Sequence, residues 1–188
     1  MTSQSDTGIE ATTRAELLRR VVSDARKVLD GTMADVTQAQ ADYRPPGIAN
    51  PLGATYAHVV CSEDMVVQGM FRQLPPLFAS SWNARTGLSE PMPVPGPEWA
   101  NYAGWTRRVK IDLDALRRYG QAVAAETDAW IASLSDSDLD RPLDLSSAGL
   151  GQHTLGTAIA LLIANHLGTE TGEISVLKGI QGARGYPM

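Results

Sequence analysis

The chain has 188 residues, 43% hydrophobic and 20% charged, which suits one folded domain with a sizeable core. A net charge of −5 excludes a general nucleic-acid binder, which carries a basic face, and the single cysteine, Cys61, excludes an intrachain disulfide and any CxxC zinc site. No apolar run reaches the ~18 residues of a membrane span, and the opening "MTSQSDTGIEATT" lacks the basic and apolar regions of a signal peptide, so a soluble cytoplasmic protein is expected.

The first 12 residues read as a flexible tail, with one domain over 13–188. "TRAE" at Thr13 to Glu16 matches a capping box, a Thr N-cap with Glu three residues on. Behind it Leu18, Val22, Ala25, Leu29, Met33 and Val36 recur at helical spacing, predicting a first helix over about 14–35. "NPLG" at Asn50 to Gly53 marks a second start, with Asn50 as cap and Pro51 at the first helical position. That helix runs to about 73 and stops before Pro75 and Pro76.

Residues 75–97 hold six of the 11 prolines and predict a long irregular crossover. A third helix is expected over about 104–134, with Val109, Leu113, Leu116, Gly120, Val123, Thr127, Trp130 and Leu134 forming a heptad-like seam. A fourth is expected over about 154–179. The halves echo one another: a long helix, a polar loop ending in Arg-Pro, then a helix opening with Leu-Gly. Two helical hairpins joined by the crossover imply an all-α four-helix bundle, and no strand pattern competes.

The chemistry concentrates near the C-terminus. In "NHLGTETGEIS", His166, Glu170 and Glu173 share one stripe of one helical face below the apolar run "LGTAIALLIA". His58 lies inside the equally apolar "ATYAHVVCSED" of the second helix. Bundles build metal sites from inward side chains on facing helices. His58, His166 and Glu170 thus form a candidate ligand set for zinc, nickel, iron or manganese, with positions left for water or substrate. A second reading stays open: His58 as a hydrogen-bonded core histidine, and Glu170 and Glu173 as carboxylates at the solvent edge of the last helix, Glu173 paired with Lys178 or Arg184. Cys61 reads as a small core residue, and His153 as a loop residue before a helix cap. Trp99 and Trp105 are expected to cover the bundle end or line a pocket mouth. Arg107, Arg108, Lys110, Arg117 and Arg118, interleaved with Asp112 and Asp114, read as a solvated face.

"PLGATYAHVVCSEDMVVQGM" and "LIANHLGTETGEISVLKGIQGARGYP" resemble the second and last helices of the DinB-like bundle family. "DVTQAQADYRP" resembles its acidic loop ending in Arg-Pro, and the resemblance spans about 14–187. It implies a four-helix bundle with a long crossover between the second and third helices, often homodimeric. It also implies a divalent metal, zinc or nickel, held by one histidine of the second helix and two of the last. His58 and His166 match two of these ligands. Glu170 stands where the third, a histidine, is expected, so the resemblance leaves either an altered metal site or a metal-free binding or interaction module. The activity implied is transfer of a low-molecular-weight thiol, such as mycothiol, to a small electrophile. Glu173, one turn further along the stripe, reads as a catalytic general base or as a hydrogen-bond acceptor behind the ligands. Metal-assisted hydrolysis at the same site is the other enzymatic reading. Neither nucleic acid nor membrane is an expected partner.

Overall fold

Residues 12–94, 96–146 and 149–187 are described by the computed structural model; apart from Thr12, the expected tail lies outside them. Four helical rods form the body. The first is α1 (Arg14–Met33), and after the short α2 (Gln38–Asp42) comes α3 (Leu52–Asp64), which continues as π-helical turns through Met65–Phe71. The crossover leads through a 3-10 turn at Leu77–Ala79 to another at Pro97–Asn101, then α4 (Tyr102–Arg108) and the third rod, α5 (Leu113–Ala132). The fourth rod is α6 (Leu155–Ile159), a π-helical stretch (Ala160–Asn165) and α7 (His166–Gly179). The α1 and α3 rods each pack against both α5 and α7. Between them Leu29, Leu52, Leu116, Tyr119, Ile163, Leu167 and Ile174 are fully enclosed.

The starts of these helices follow local chemistry. The Thr13 hydroxyl accepts from the Glu16 amide at 3.1 Å, but the Glu16 carboxylate turns outward to Arg20, so half of the expected box forms. A complete capping box stands at Thr37 and Gln40, inside what reads as a polar loop. Pro51, rather than Asn50, is the N-cap of α3, which begins at Leu52 without a side-chain cap.

Two expectations need correction. The third helix is interrupted: α4 ends at Arg108, Val109 turns extended, and Ile111 bridges to Leu88. Asp112 causes the restart, because its carboxylate accepts from the Ala115 amide at 3.0 Å and caps a new helix. Strands are also present, an antiparallel hairpin of β1 (Pro142–Asp144) and β2 (Gln152–Thr154) leading into α6.

The repeated Leu-Gly openings share one physical cause. A methyl group on Gly53 would meet the Ala41 carbonyl oxygen at 2.9 Å, and one on Gly156 would meet Leu139 Cβ at 3.2 Å. Each glycine lets a short helical turn, α2 in one half and Asp138–Asp140 in the other, press against the rod that follows it. The crossover is fixed by Asp64, which is buried and accepts from the Leu77 and Phe78 amides at 2.9 and 3.0 Å and from the Tyr119 hydroxyl at 2.6 Å.

Candidate metal centre

The contact between α3 and α7 brings the chemistry together. His58 lies two turns into α3, and His166 opens α7 directly after the π-helical stretch. A π turn holds more residues than an α turn, so this stretch sets the angular phase of everything after it. His166 and Glu170 then share a face of α7, one turn apart, toward α3.

Nε2 of His58 and Nε2 of His166 are 3.1 Å apart, and His166 Nε2 is 3.7 Å from Glu170 Oε1. One ligand atom from each of the three residues falls within 4.8 Å of the others. Nitrogens bound at 2.0–2.1 Å to one tetrahedral ion are roughly 3.3 Å apart, so the imidazoles stand close to ligating spacing. Two imidazoles with one carboxylate are also a donor set suited to zinc or nickel. Ser62 Oγ lies 3.2 Å from His58 Nδ1 and fixes the ring from behind. Glu173 continues the stripe but is exposed; it accepts from the Thr55 hydroxyl at 3.1 Å. It does not pair with Lys178, whose buried ammonium instead donates to the Thr32 carbonyl and to Asp35, both at 2.6 Å.

Burial sets the protonation of the group. The His58 imidazole is pushed down to about 4, first by loss of solvent and then by His166, and His166 is lowered by burial. Both rings are therefore neutral at physiological pH, with lone pairs available. The Glu170 carboxyl is pushed up to about 7, by burial and then by Glu173. Burial also drives the Cys61 thiol up to about 12, so it is inert as a nucleophile.

An aromatic wall borders His58. Tyr102 stacks between Trp99 (4.5 Å between centroids) and the enclosed Trp105 (5.8 Å), and it meets the His58 ring edge-on at 5.2 Å. Tyr102 is the member that the sequence reading misses. Its signal was the Trp99, Tyr102, Trp105 spacing of three, one side of a short helix. A cavity of about 360 Å³ lies under the crossover against Cys61 and Met65; none of His58, His166 or Glu170 lines it.

The remaining candidates fall elsewhere. His153 sits on β2, where Nε2–H donates to the Leu150 carbonyl at 2.8 Å. The basic residues expected on a solvated face are partly structural: Arg117 donates to the Met33 and Val36 carbonyls, Arg107 to the Gly47 carbonyl, and Arg108 pairs with Glu90.

Comparison with known proteins agrees with this architecture. The model of the DinB superfamily matches residues 22–174, a span that contains all four residues of the stripe and its partner. A crystal structure described as the conserved protein of a locus from Enterococcus faecalis superposes with a TM-score of 0.71 at 17% identity, covering 89% of this chain and 96% of that one. No curated protein matches the sequence.

Proposed function

From the premise that the chain belongs to the DinB superfamily, we propose that His58, His166 and Glu170 hold a divalent metal, zinc or nickel, and that the protein is a metal-dependent enzyme acting on a small molecule. The observation that carries this reading is the convergence of three ligand atoms within 4.8 Å, two of them on neutral imidazoles. A bound divalent ion would lower the pKa of a thiol or water beside it and stabilise the resulting anion.

The transferred nucleophile in this reading is a low-molecular-weight thiol of the mycothiol type, attacking a small electrophile. Cys61 supports an external thiol, because the one protein thiol is buried and held protonated. Glu173 takes the proton of the incoming nucleophile, oriented by the Thr55 hydroxyl. The Trp99–Tyr102 pair screens the His58 side of the site from water. The working form is a cytoplasmic homodimer; light scattering returning twice the 20.1 kDa chain mass supports the dimer, and the chain mass itself opposes it.

Calorimetry with zinc and nickel on untagged protein tests the centre. Saturable binding that is lost in His58→Ala and weakened in Glu170→Gln is the expected result; no binding by wild type overturns it. Turnover of an electrophile panel that is equal with and without added thiol overturns the transferase reading alone and favours hydrolysis. A metal-free binding module is the second reading, favoured by the 3.1 Å Nε2 to Nε2 separation, which also suits a hydrogen bond between two neutral imidazoles. Glu170→His separates the two: if only that variant binds metal, the natural chain has lost its ion.

A further inference from the structure

A second polar site lies between α1, α3 and α5. A cavity of about 250 Å³ there is lined by Arg26, Glu63 and Thr127 together with Val22, Ala124 and Ile131. Arg26 donates to Oε2 of Glu63, forming an ion pair that is almost fully buried. The other carboxylate oxygen, Glu63 Oε1, and the Thr127 hydroxyl have no hydrogen-bond partner among the described residues. Glu63 is 2% exposed and Thr127 1%. Buried polar groups left without partners cost about 1–3 kcal/mol each, so two in one cavity call for an occupant.

The Thr127 hydroxyl departs from its own kind in this fold. Thr32 and Thr171 are likewise buried in long helices, and each donates to the carbonyl four residues back, at 2.7 and 2.5 Å. Thr127 makes no such bond. Glu63 lines the same cavity, and its Oε1 can only accept. One group that satisfies both atoms must donate to the carboxylate and also bond with the hydroxyl. Charge does not favour an ion: Glu63 is matched by Arg26, and Asp128 at the rim is held by Arg19 through two bonds of 2.8 Å. The remaining wall is Val22, Ala124, Ala125 and Ile131, apolar apart from Ser23.

We propose that this cavity is a binding site for a neutral hydroxyl group, anchored between Glu63 Oε1 and Thr127 Oγ1. Its sources are water or a small aliphatic alcohol whose carbon chain lies against Val22 and Ile131. The volume exceeds the ~30 Å³ share of one water several-fold, so an alcohol of a few carbons fits. The site is independent of the His58 group.

Two measurements on the full chain test it, a high-resolution crystal structure and a 15N NMR titration with 1-butanol. Ordered water within hydrogen-bond distance of both Glu63 Oε1 and Thr127 Oγ1 supports the hydroxyl site. Saturable butanol shifts at the Ala124 and Thr127 amides, weakened roughly tenfold in Thr127→Val by loss of one hydrogen bond and retained in Thr127→Ser, assign it to the alcohol. Water without saturable butanol shifts assigns it to water. A dry cavity with Thr127 donating to the Val123 carbonyl or directly to Glu63 overturns the proposal. The Ser variant keeps the test valid if Val destabilises the fold.

Discussion

Glu170 is held in a state that lowers stability once its carboxyl ionises. Its carboxyl stands at about 7 against an ordinary 4.5, because burial and Glu173 both oppose its charge. A raised carboxyl means that the folded protein binds this proton more tightly than the unfolded chain does. The stabilising contribution is complete below about 4.5 and is lost as pH rises through 7. Above that, metal-free protein carries the full cost of the charge, on the order of 2–3 kcal/mol. Glu170→Gln removes the charge, so in chelator its melting temperature is expected to rise above wild type as pH goes from 5 to 8. A gap that stays constant with pH would show that Glu170 is not perturbed. With zinc added at pH 8 the order should reverse, since only a competent ligand set gains RT ln(1 + [L]/Kd). The proton on Glu170 must also leave before it ligates, so proton release on zinc binding should be near one at pH 6 and fall toward zero at pH 8.

At the scale of elements, the Leu-Gly openings are the most sensitive joints. Gly→Ala inside a helix ordinarily gains about 0.5–1 kcal/mol of propensity. At Gly53 the added methyl faces a backbone oxygen at 2.9 Å, which cannot rotate away. Gly53→Ala should therefore destabilise by about 1–3 kcal/mol, read as a lower urea midpoint at unchanged m-value. At Gly156 the nearest atom is the side-chain Cβ of Leu139 at 3.2 Å, so Gly156→Ala should cost less. A stabilised Gly53→Ala protein would show that α2 is free to shift. These joints were legible as a repeated dipeptide, and so were the rods, through their apolar period. His58 and His166 were legible as imidazoles in apolar surroundings. The break at Val109–Asp112 was not, because the seam Leu113, Leu116, Gly120, Val123 extrapolates smoothly back to Val109 and hides a capping aspartate. Tyr102 escaped because its spacing of three with Trp99 and Trp105 spans only two turns, too short to show which element the aromatic side faces. The hairpin escaped because its strands are three residues each.

Taken whole, the molecule is a four-rod bundle in which the first and second rods each pack against the third and the fourth rather than against each other, with the candidate centre on the seam where the second rod meets the fourth. A centre shared by the second and fourth rods couples their docking, so metal should slow the separation of α3 from α7. The crossover carries a different consequence. Its 3-10 turn is tied at Leu77 and Phe78 to Asp64 of α3, and Asp64 is tied in turn to Tyr119 of α5. A segment of irregular backbone thus has its amides closed by a carboxylate that solvent cannot reach. In hydrogen–deuterium exchange those two amides should be retained as long as those of the buried rods, while the neighbouring Ser80 and Ser81 amides, on exposed residues, exchange early. Tyr119→Phe removes one of the three donors, and it should accelerate exchange at Leu77 and Phe78 by roughly an order of magnitude for about 1.4 kcal/mol lost. Unchanged protection there would mean that the crossover opens together with the whole bundle, as one cooperative unit.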